Sequence, residues 1–317
     1  MNSGLQRSCA VLLAGGDGTR LQNLTLRISG ASRPKQFCNI HGTGSLLRQT
    51  LQRVSPIFPA ERAVFLVNKA HEQYYRDDLR DVDGSRILSQ PENKGTAVGI
   101  LWAVHELRLR GHDGIVAFLP CDHYYSDDRV FLATLEDAIN RAFLSPDSII
   151  LLGAQADQPE TEYGWIEPGA RIPDSLRPPV WGVSRFWEKP TRQHAEELLH
   201  RGCLWNTFVT VGHLSAFHDL LRTAVPAVVR RISASAHSQL EDAYHEVPSL
   251  DFSRDVLARH PERLLVIRDT SGWADLGNPF RIVDTLVKNG VRPAWLSNID
   301  LGYAFDGIAS LDGSQTS

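Results

Sequence analysis

Short apolar segments alternate with amphipathic helical patterns through the first half of this chain. The strand-length apolar segments lie at residues 9–14, 63–67, 86–89, 115–119 and 149–152. The helical patterns lie between or after them, at residues 45–54, 71–79, 95–109 and 131–142. Such alternation predicts an α/β fold in which helices cover both faces of a mostly parallel sheet.

The second half differs in composition from the first and is richer in Pro and Trp. Short strands are predicted at residues 163–167, 180–188 and 204–211, and we expect them to join the same sheet. Beyond Asn289 the periodicity is weak. We therefore predict one compact domain over residues 8–289, with halves at about 8–154 and 155–289, and a C-terminal extension over residues 290–317.

Charge and cysteine usage exclude several classes of protein. A formal net charge of −4 argues against a nucleic-acid or membrane-surface footprint, which needs clustered Lys and Arg. The four cysteines are scattered without zinc spacing, so we predict reduced thiols. The apolar run at residues 9–14 is too short for a signal-peptide core or a membrane span. We expect a cytoplasmic protein with neither nucleic-acid nor membrane partners, and we consider a homodimer.

A glycine-rich loop, GGDGTR at residues 15–20, follows the first predicted strand. Because glycine has no Cβ, backbone N–H groups there can approach a phosphate chain, and Arg20 would add a charged fork. The loop lacks both the Lys-Ser/Thr ending of a P-loop and the glycine spacing of a dinucleotide site. For this loop alone, an ordinary tight turn is an equal alternative.

Asp122 is the main candidate for chemistry. It follows the buried strand at residues 115–119, and ligands of open α/β folds gather at the carboxyl ends of strands. An aspartate there can ligate Mg²⁺, which takes one or two carboxylates together with phosphate oxygens and water. We interpret the neighbouring His123 as structural.

Two motifs taken together resemble the signature of the sugar nucleotidyltransferases. They are LAGGDGTRL at residues 13–21 and RPKQF at residues 33–37, and the PKQF form is similar to the mannose-1-phosphate guanylyltransferase branch. The resemblance implies a Rossmann-like, GT-A-like fold with a mostly parallel mixed sheet. It also implies a Mg²⁺-dependent transfer from GTP, or another nucleoside triphosphate, to a sugar 1-phosphate, with GDP-mannose and pyrophosphate as the favoured products.

Further segments resemble the family in the expected order. QPENKGTA at residues 90–97 is similar to the segment that faces the base, and GWADLG at residues 272–277 is similar to the segment of a second metal-binding aspartate. The sugar-phosphate half shows three similar segments, YGWI at residues 163–166, FWEKP at residues 186–190 and LWN at residues 204–206.

The resemblance assigns roles to individual residues. The implied catalytic residues are Arg20, Lys35, Asp122 and Asp275, of which Asp122 and Asp275 would hold Mg²⁺. The implied nucleotide-binding residues are Leu13, Ala14, Gly15, Gly16, Gly18, Thr19, Arg20, Lys35, Gln90, Asn93, Gly95, Thr96 and Asp122. The implied sugar-phosphate-binding residues are Tyr163, Gly164, Glu188, Lys189 and Asn206.

Several residues carry an alternative interpretation. Lys35 alone could be a solvated loop lysine, and Asp275 alone could cap the helix that follows it. Asn93 could cap a helix with Thr96 solvated. Adjacent strand residues point to opposite faces, so Glu188 and Lys189 can share a ligand only at an irregular strand end.

Whole-chain alternatives also stay open at this point. They are a nucleotidyltransferase for another sugar and nucleotide, a noncatalytic nucleotide-sugar-binding regulator, and a GT-A glycosyltransferase. After the strand at residues 115–119 the chain reads PCDH instead of the D-x-D motif usual there, which disfavours the glycosyltransferase, and the retained charged residues disfavour the regulator. Departures from the family pattern occur at Cys121, Gly95, Thr207-Phe208 and Asn278-Pro279. The Thr207-Phe208 departure bears on the sugar more than on the reaction.

Overall fold

A nine-stranded sheet forms the centre of the computed structural model, which describes residues 3–173, 178–234 and 240–298. The strands of the protein are β1 (Ser8–Leu13), β2 (Ala63–Asn68), β3 (Ile87–Gln90), β4 (Ile115–Pro120), β5 (His123–Tyr125), β6 (Ile149–Gln155), β7 (Gly164–Arg171), β8 (Val180–Glu188), β9 (Leu204–His213), β10 (Leu264–Asp269) and β11 (Trp273–Asp275). Strands β5 and β11 pair with each other as a separate two-stranded sheet.

Helices connect most of these strands, and several begin at capping side chains that the sequence displays. The α-helices are α1 (Ser3–Gln6), α2 (Gln22–Ser29), α3 (Leu46–Val54), α4 (Glu72–Tyr75), α5 (Thr96–Leu109), α6 (Asp128–Leu144), α7 (Arg192–His200), α8 (Leu214–Ala224), α9 (Pro226–Ala234), α10 (Leu240–Glu246), α11 (Phe252–Asp255) and α12 (Pro279–Lys288). The side chains of Ser45 and Asp127 accept backbone N–H bonds at the starts of α3 and α6.

The strand order is β3-β2-β1-β4-β9-β6-β10-β8-β7. Strands β1 to β4 are parallel to one another, and β6 is parallel to β10. Strand β9 lies antiparallel between β4 and β6, and β8 lies antiparallel between β10 and β7. Only β8 and β9 therefore run against the other strands of this sheet, which confirms the predicted mostly parallel mixed sheet. The insertion of β9 also joins the two halves of the chain in one sheet.

Apolar side chains form a layer on each face of the sheet. Successive strand residues point to opposite faces, so Leu12 of β1 belongs to one layer and Val11 to the other. Helix α6 packs Leu135 into the first layer, and α5 packs Ile100 into the second. Helices thus cover both faces, as predicted.

The structure corrects part of the helix predicted over residues 71–79. Helix α4 ends at Tyr75 and the chain continues in turns, where the Arg48 guanidinium binds the Asp77 carbonyl and the Asp78 carboxylate, each at 3.1 Å. Strands β5, β10 and β11 and helices α1, α2 and α7 to α11 were not predicted. All four cysteines are free and buried, as expected for reduced thiols.

The chain beyond Asn289 packs against the domain as far as residue 298. A short 3₁₀ helix spans Ala294–Asn298, and the Trp295 indole donates to the carbonyl of Ile40 at 2.8 Å. Residues 299–317 of the predicted extension lie outside the described residues. No helix within the described ranges is long and apolar enough to cross a membrane.

Candidate active site

A cleft of about 500 Å³ opens beside the carboxyl ends of β1, β3 and β4. Most residues that the sequence proposed for the site line it. They are Leu13, Gly15, Gly16, Arg20, Gln90, Asn93, Gly95, Thr96, Asp122, Tyr163, Gly164, Glu188, Lys189, Asn206 and Asp275. The two halves of the chain therefore contribute to one cavity.

Four proposed residues are not among those that line the cleft. Ala14 is buried, and its N–H donates to the Leu66 carbonyl at 2.8 Å. Gly18 adopts a left-handed φ of 61°, and Thr19 begins a 3₁₀ turn. Lys35 is 7% exposed and reaches the cleft through its ammonium group.

Lys35 joins the two aspartates proposed as metal ligands. Its Nζ lies 3.3 Å from Asp122 Oδ2 and 3.3 Å from Asp275 Oδ1. Asp122 lies between β4 and β5, and Asp275 is the last residue of β11. Strand β11 pairs with β5 so that Asp275 lies opposite His123, the neighbour of Asp122. The small β5–β11 sheet thus brings together two carboxylates from distant parts of the chain.

Opposite charges favour the ionised forms of Lys35 and Asp275. Burial by itself would lower the pKa of the Lys35 ammonium, but the Asp122 and Asp275 carboxylates raise that pKa above its ordinary value. Burial would raise the pKa of the Asp275 carboxyl, yet nearby positive charge, Lys35 foremost, holds it below its ordinary value. Asp275 does not cap the helix that follows it. The N-cap of α12 is Asn278, whose side chain accepts the Arg281 N–H at 2.9 Å.

Arg281 extends the cluster and was not predicted from the sequence. Its guanidinium lies 3.2 Å from Asp275 Oδ2, 2.5 Å from Glu160 Oε2 and 2.7 Å from Glu162 Oε2. Its side chain is 14% exposed and lies over the ring of Tyr163, with Cζ 4.5 Å from the centroid. Glu162 in turn binds Arg20 at 3.3 Å. This network connects the glycine-rich loop to the second aspartate.

His123 faces the same cleft with a neutral ring. Burial lowers its pKa below the ordinary value, although the neighbouring aspartates oppose the shift. Its Nδ1 accepts the indole N–H of Trp273 at 3.1 Å. This contact supports the structural interpretation of His123.

The glycine-rich loop is held by side chains beneath it. Gln36 donates through Nε2 to the carbonyls of Ala14 and Gly16, at 3.0 Å and 2.7 Å. Asp17 lies 3.2 Å from His71 Nε2 and accepts from Asn93 Nδ2 at 2.8 Å. The loop and the proposed base-facing turn therefore contact each other directly.

The turn at residues 90–96, which the sequence proposed as base-facing, packs against the segment that precedes α11. Gly95 has a φ of 82°, and a Cβ built on it would lie 2.4 Å from the Leu250 carbonyl oxygen, so the turn requires glycine there. Thr96 is not merely solvated, because its Oγ1 accepts the Phe252 N–H at 2.8 Å. Asn93 accepts from the Gly95 N–H at 3.0 Å, while the N-cap position of α5 is Gly95 itself.

At the other end of the cleft, an irregular strand end brings Glu188 and Lys189 to the same cavity. Lys189 has a positive φ of 48°, and its Nζ lies 3.5 Å from Glu188 Oε1. Burial and the charge of Asp251 raise the pKa of Glu188, partly offset by Lys189. Asn206 Nδ2 lies 3.4 Å from Ser253 Oγ.

Other lining residues were missed because they lack a motif. The segment at residues 249–254 contributes Ser249, Leu250, Asp251, Ser253 and Arg254 to the cleft. Its only sequence signal is the polar, Asp-containing character of the stretch, which does not indicate a site by itself.

The mixed sheet and this cleft define a nucleotidyl transferase, and the family model for nucleotidyl transferases matches residues 9–288. The chain belongs to that family. It is 27% identical over 312 residues to mannose-1-phosphate guanylyltransferase of Escherichia coli, with 92% of this chain covered. It is 30% identical over 296 residues to the alginate biosynthesis protein AlgA of Pseudomonas aeruginosa, with 88% covered. The chain spans 64% and 58% of the lengths of these two relatives.

Solved structures show the same fold. A Thermus thermophilus structure described as a mannose-1-phosphate geranyltransferase aligns with a TM-score of 0.74 and 29% identity, covering 86% of this chain and 77% of that chain. A Helicobacter pylori protein described as a mannose-6-phosphate isomerase aligns with a TM-score of 0.65 over 84% of this chain and 99% of that chain, at 18% identity. That second likeness bears on the fold alone.

Proposed function

We propose that this chain transfers a guanylyl group from GTP to mannose 1-phosphate, forming GDP-mannose and releasing pyrophosphate. Family membership and relatives that include a mannose-1-phosphate guanylyltransferase support this reaction. The observation that carries the proposal is the contact of Lys35 with both Asp122 and Asp275, inside a cleft that also contains the glycine-rich loop and the sugar-phosphate segments.

In this proposal the two substrates occupy opposite ends of the cleft. The triphosphate lies along Gly15 and Gly16 near Arg20, and the base lies against the turn at residues 93–96. The sugar phosphate lies against Glu188 and its neighbours, where a carboxylate can accept hydroxyl hydrogen bonds and an ammonium can bind phosphate. The reacting phosphates then meet beside Asp122 and Asp275.

The two aspartates fit a Mg²⁺ site. This ion takes one or two protein carboxylates and completes its coordination with phosphate oxygens and water. Within the described residues, no group of three or more His, Cys, Asp or Glu side chains could hold a metal, so Asp122 and Asp275 with substrate oxygens are the ligand set we propose. When bound, Mg²⁺ would neutralise part of the charge of the triphosphate.

The chemical step needs no nucleophilic side chain. The phosphate oxygen of the sugar 1-phosphate is ionised at neutral pH, so it can attack the α-phosphorus without a general base. A new P–O bond forms while the bond to the β-phosphate oxygen breaks, and pyrophosphate leaves with the electron pair. Arg20, Lys35 and Lys189 hold the anions in line and stabilise their charge, so catalysis rests on positioning and electrostatics.

Another sugar and nucleotide pair is the second candidate. Phe208, from the Thr207-Phe208 departure, lines the cleft together with Glu188 and Asn206, so its ring bears on which sugar the pocket accepts. The domain boundaries, the cytoplasmic location and the homodimer stay predictions from the sequence.

A pyrophosphate-release screen tests the proposed function. Each of the four common nucleoside triphosphates is combined with mannose 1-phosphate, glucose 1-phosphate or N-acetylglucosamine 1-phosphate, with Mg²⁺ or with excess chelator. We expect the highest kcat/KM for GTP with mannose 1-phosphate and no release with chelator. The Asp122→Ala variant provides the blank. No release from any pair in the presence of Mg²⁺ would refute enzymatic activity.

A further inference from the structure

Phe208 has a strained backbone in the wall of the cleft. Among the described residues, only Lys189 and Phe208 combine a side chain with a positive φ, at 48° and 62°. Both line the cleft. Left-handed backbone is disfavoured for bulky side chains, and such strain persists mainly where the surroundings enforce it, often at functional sites.

Neighbouring polar side chains hold the bend around Phe208. Asn206 Oδ1 accepts the Phe208 N–H at 3.1 Å. The Thr207 hydroxyl donates to the Leu152 carbonyl at 2.7 Å, and its oxygen lies 3.3 Å from the Val209 N. These hydrogen bonds stabilise the left-handed backbone at Phe208 through the side chains of Asn206 and Thr207. The phenyl ring takes no part in them.

The ring itself lies between the core and the cavity. Phe208 is half-buried, and its ring centroid lies 6.2 Å from that of Phe252 in an edge-to-face arrangement. Phe208 also lines the cavity, together with Glu188 and Asn206. The turn would form with less strain at a glycine, so the fold does not require a ring at this position.

We propose that Phe208 is a specificity-determining residue of the sugar end of the cleft, an inference that rests on the proposed function. Its ring forms an apolar wall that packs against one face of a hexose, while Glu188 and Asn206 bind hydroxyl groups. The same ring occupies the volume that a bulky acylamino substituent would need. The site therefore selects unsubstituted hexose 1-phosphates over N-acetylhexosamine 1-phosphates.

Three substitutions at Phe208 separate the ring from the strain. Phe208→Gly removes both, Phe208→Ala removes the ring and keeps the strain, and Phe208→Tyr keeps both. Phe143→Ala, at an exposed phenylalanine on α6 outside the cleft, is the matched control. For each protein we would measure kcat/KM for mannose 1-phosphate and for N-acetylglucosamine 1-phosphate, together with the thermal midpoint.

We expect the preference for mannose 1-phosphate over N-acetylglucosamine 1-phosphate to fall on the order of 10-fold or more in Phe208→Gly and Phe208→Ala. Phe208→Tyr should retain the wild-type ratio. Phe208→Gly should have a higher thermal midpoint than Phe208→Ala, because glycine relieves the left-handed strain.

Each outcome has a distinct meaning. A wild-type enzyme that turns over while Phe208→Gly keeps the wild-type ratio overturns this inference and leaves the proposed function intact. Failure of both the Gly and Ala variants to fold also overturns it, because the ring would then serve packing. A wild-type protein without turnover on any pair overturns the proposed function, and this inference falls with it.

Discussion

The ammonium of Lys35 lies 3.3 Å from the carboxylate of Asp275, a residue 240 positions further along the chain. Asp122 shares the same ammonium at the same distance. Two carboxylates that repel each other are thereby held side by side at the edge of an open cleft. This is the arrangement that a divalent cation and a triphosphate would use together.

The first prediction concerns the two aspartates. Asp122→Ala and Asp275→Ala should each lower kcat on the order of 100- to 1,000-fold, because each removes charge aimed at the reacting phosphates. Pyrophosphate release measures the loss, and circular dichroism checks the fold. Asp81→Ala, at a side chain that is 85% exposed, is the control. Activity within a few-fold of wild type in either cleft variant would remove these residues from the proposed metal site.

The second prediction concerns the sugar phosphate. Lys189→Ala should raise the KM for the sugar 1-phosphate on the order of 10- to 100-fold, since a charged hydrogen bond contributes about 1.5–3 kcal/mol. The KM for the nucleoside triphosphate should change little. Lys288→Ala removes a lysine that is 70% exposed and pairs with Asp284 on α12. If Lys189→Ala kept the KM of the Lys288→Ala control, Lys189 would be only a surface residue.

The third prediction concerns Arg281, which binds three carboxylates with a side chain that is 14% exposed. Arg281→Gln should lower the free energy of unfolding by about 1–3 kcal/mol, because Glu160, Glu162 and Asp275 lose their shared partner. It should also lower kcat, since Asp275 loses one of its two cations. Urea unfolding and steady-state kinetics measure the two effects.

Arg192→Gln is the control for Arg281, because Arg192 is 70% exposed and pairs with Glu196 four residues further along α7. We expect this control to change stability by less than about 0.5 kcal/mol. Equal stability of the two variants would contradict the role given to Arg281.

Local motifs revealed much of this site, because each is contiguous in the chain. Each motif lies at the end of a strand or the start of a helix. The glycine-rich loop follows β1, Asp122 follows β4, and the turn at residues 90–96 precedes α5. The apolar runs likewise predicted most strands, since burial on both faces leaves a continuous apolar sequence.

Contacts between distant segments were beyond sequence reasoning. Arg281 meets Glu160 across 121 positions, and nothing in the local pattern of α12 marks that arginine. The segment at residues 249–254 enters the cleft because Leu250 bonds Lys94 and Ala97 through backbone groups, which carry no side-chain signal. The left-handed backbone of Lys189 and Phe208 is similarly invisible, because neither residue type favours it.

The fourth prediction concerns pH. Burial raises the pKa of Asp269, and two hydrogen bonds from Ser271 offset this only in part. The folded protein therefore binds this proton more tightly than the unfolded chain. As the pH rises above the ordinary pKa of 3.8, the carboxyl of the unfolded chain ionises first, so the free energy of unfolding falls. The fall ends once the pH has passed the raised pKa of the folded protein.

Asp269→Asn should remove that penalty, so its stability relative to wild type should increase from pH 4 upward and then level off. Urea unfolding at pH 4, 5, 6 and 7 measures the difference, and Asp81→Asn controls for the loss of one carboxyl. A stability difference that does not vary with pH would show that the Asp269 carboxyl titrates alike in both states.

The fifth prediction tests the base-facing turn with two glycines of similar backbone conformation. Gly95 and Gly30 have φ values of 82° and 71°, so alanine at either should cost about 1–2 kcal/mol of left-handed strain. At Gly30 a Cβ meets nothing within 4 Å, whereas at Gly95 it lies 2.4 Å from the Leu250 carbonyl oxygen. Gly95→Ala should therefore cost about 1–3 kcal/mol more and push Leu250 away from Ala97. It should also raise the KM for GTP, while Gly30→Ala should not. Equal unfolding free energies for the two variants would mean that the segment at residues 249–254 can move away from Gly95 without cost. The contact with Leu250 would then not fix the conformation of the turn.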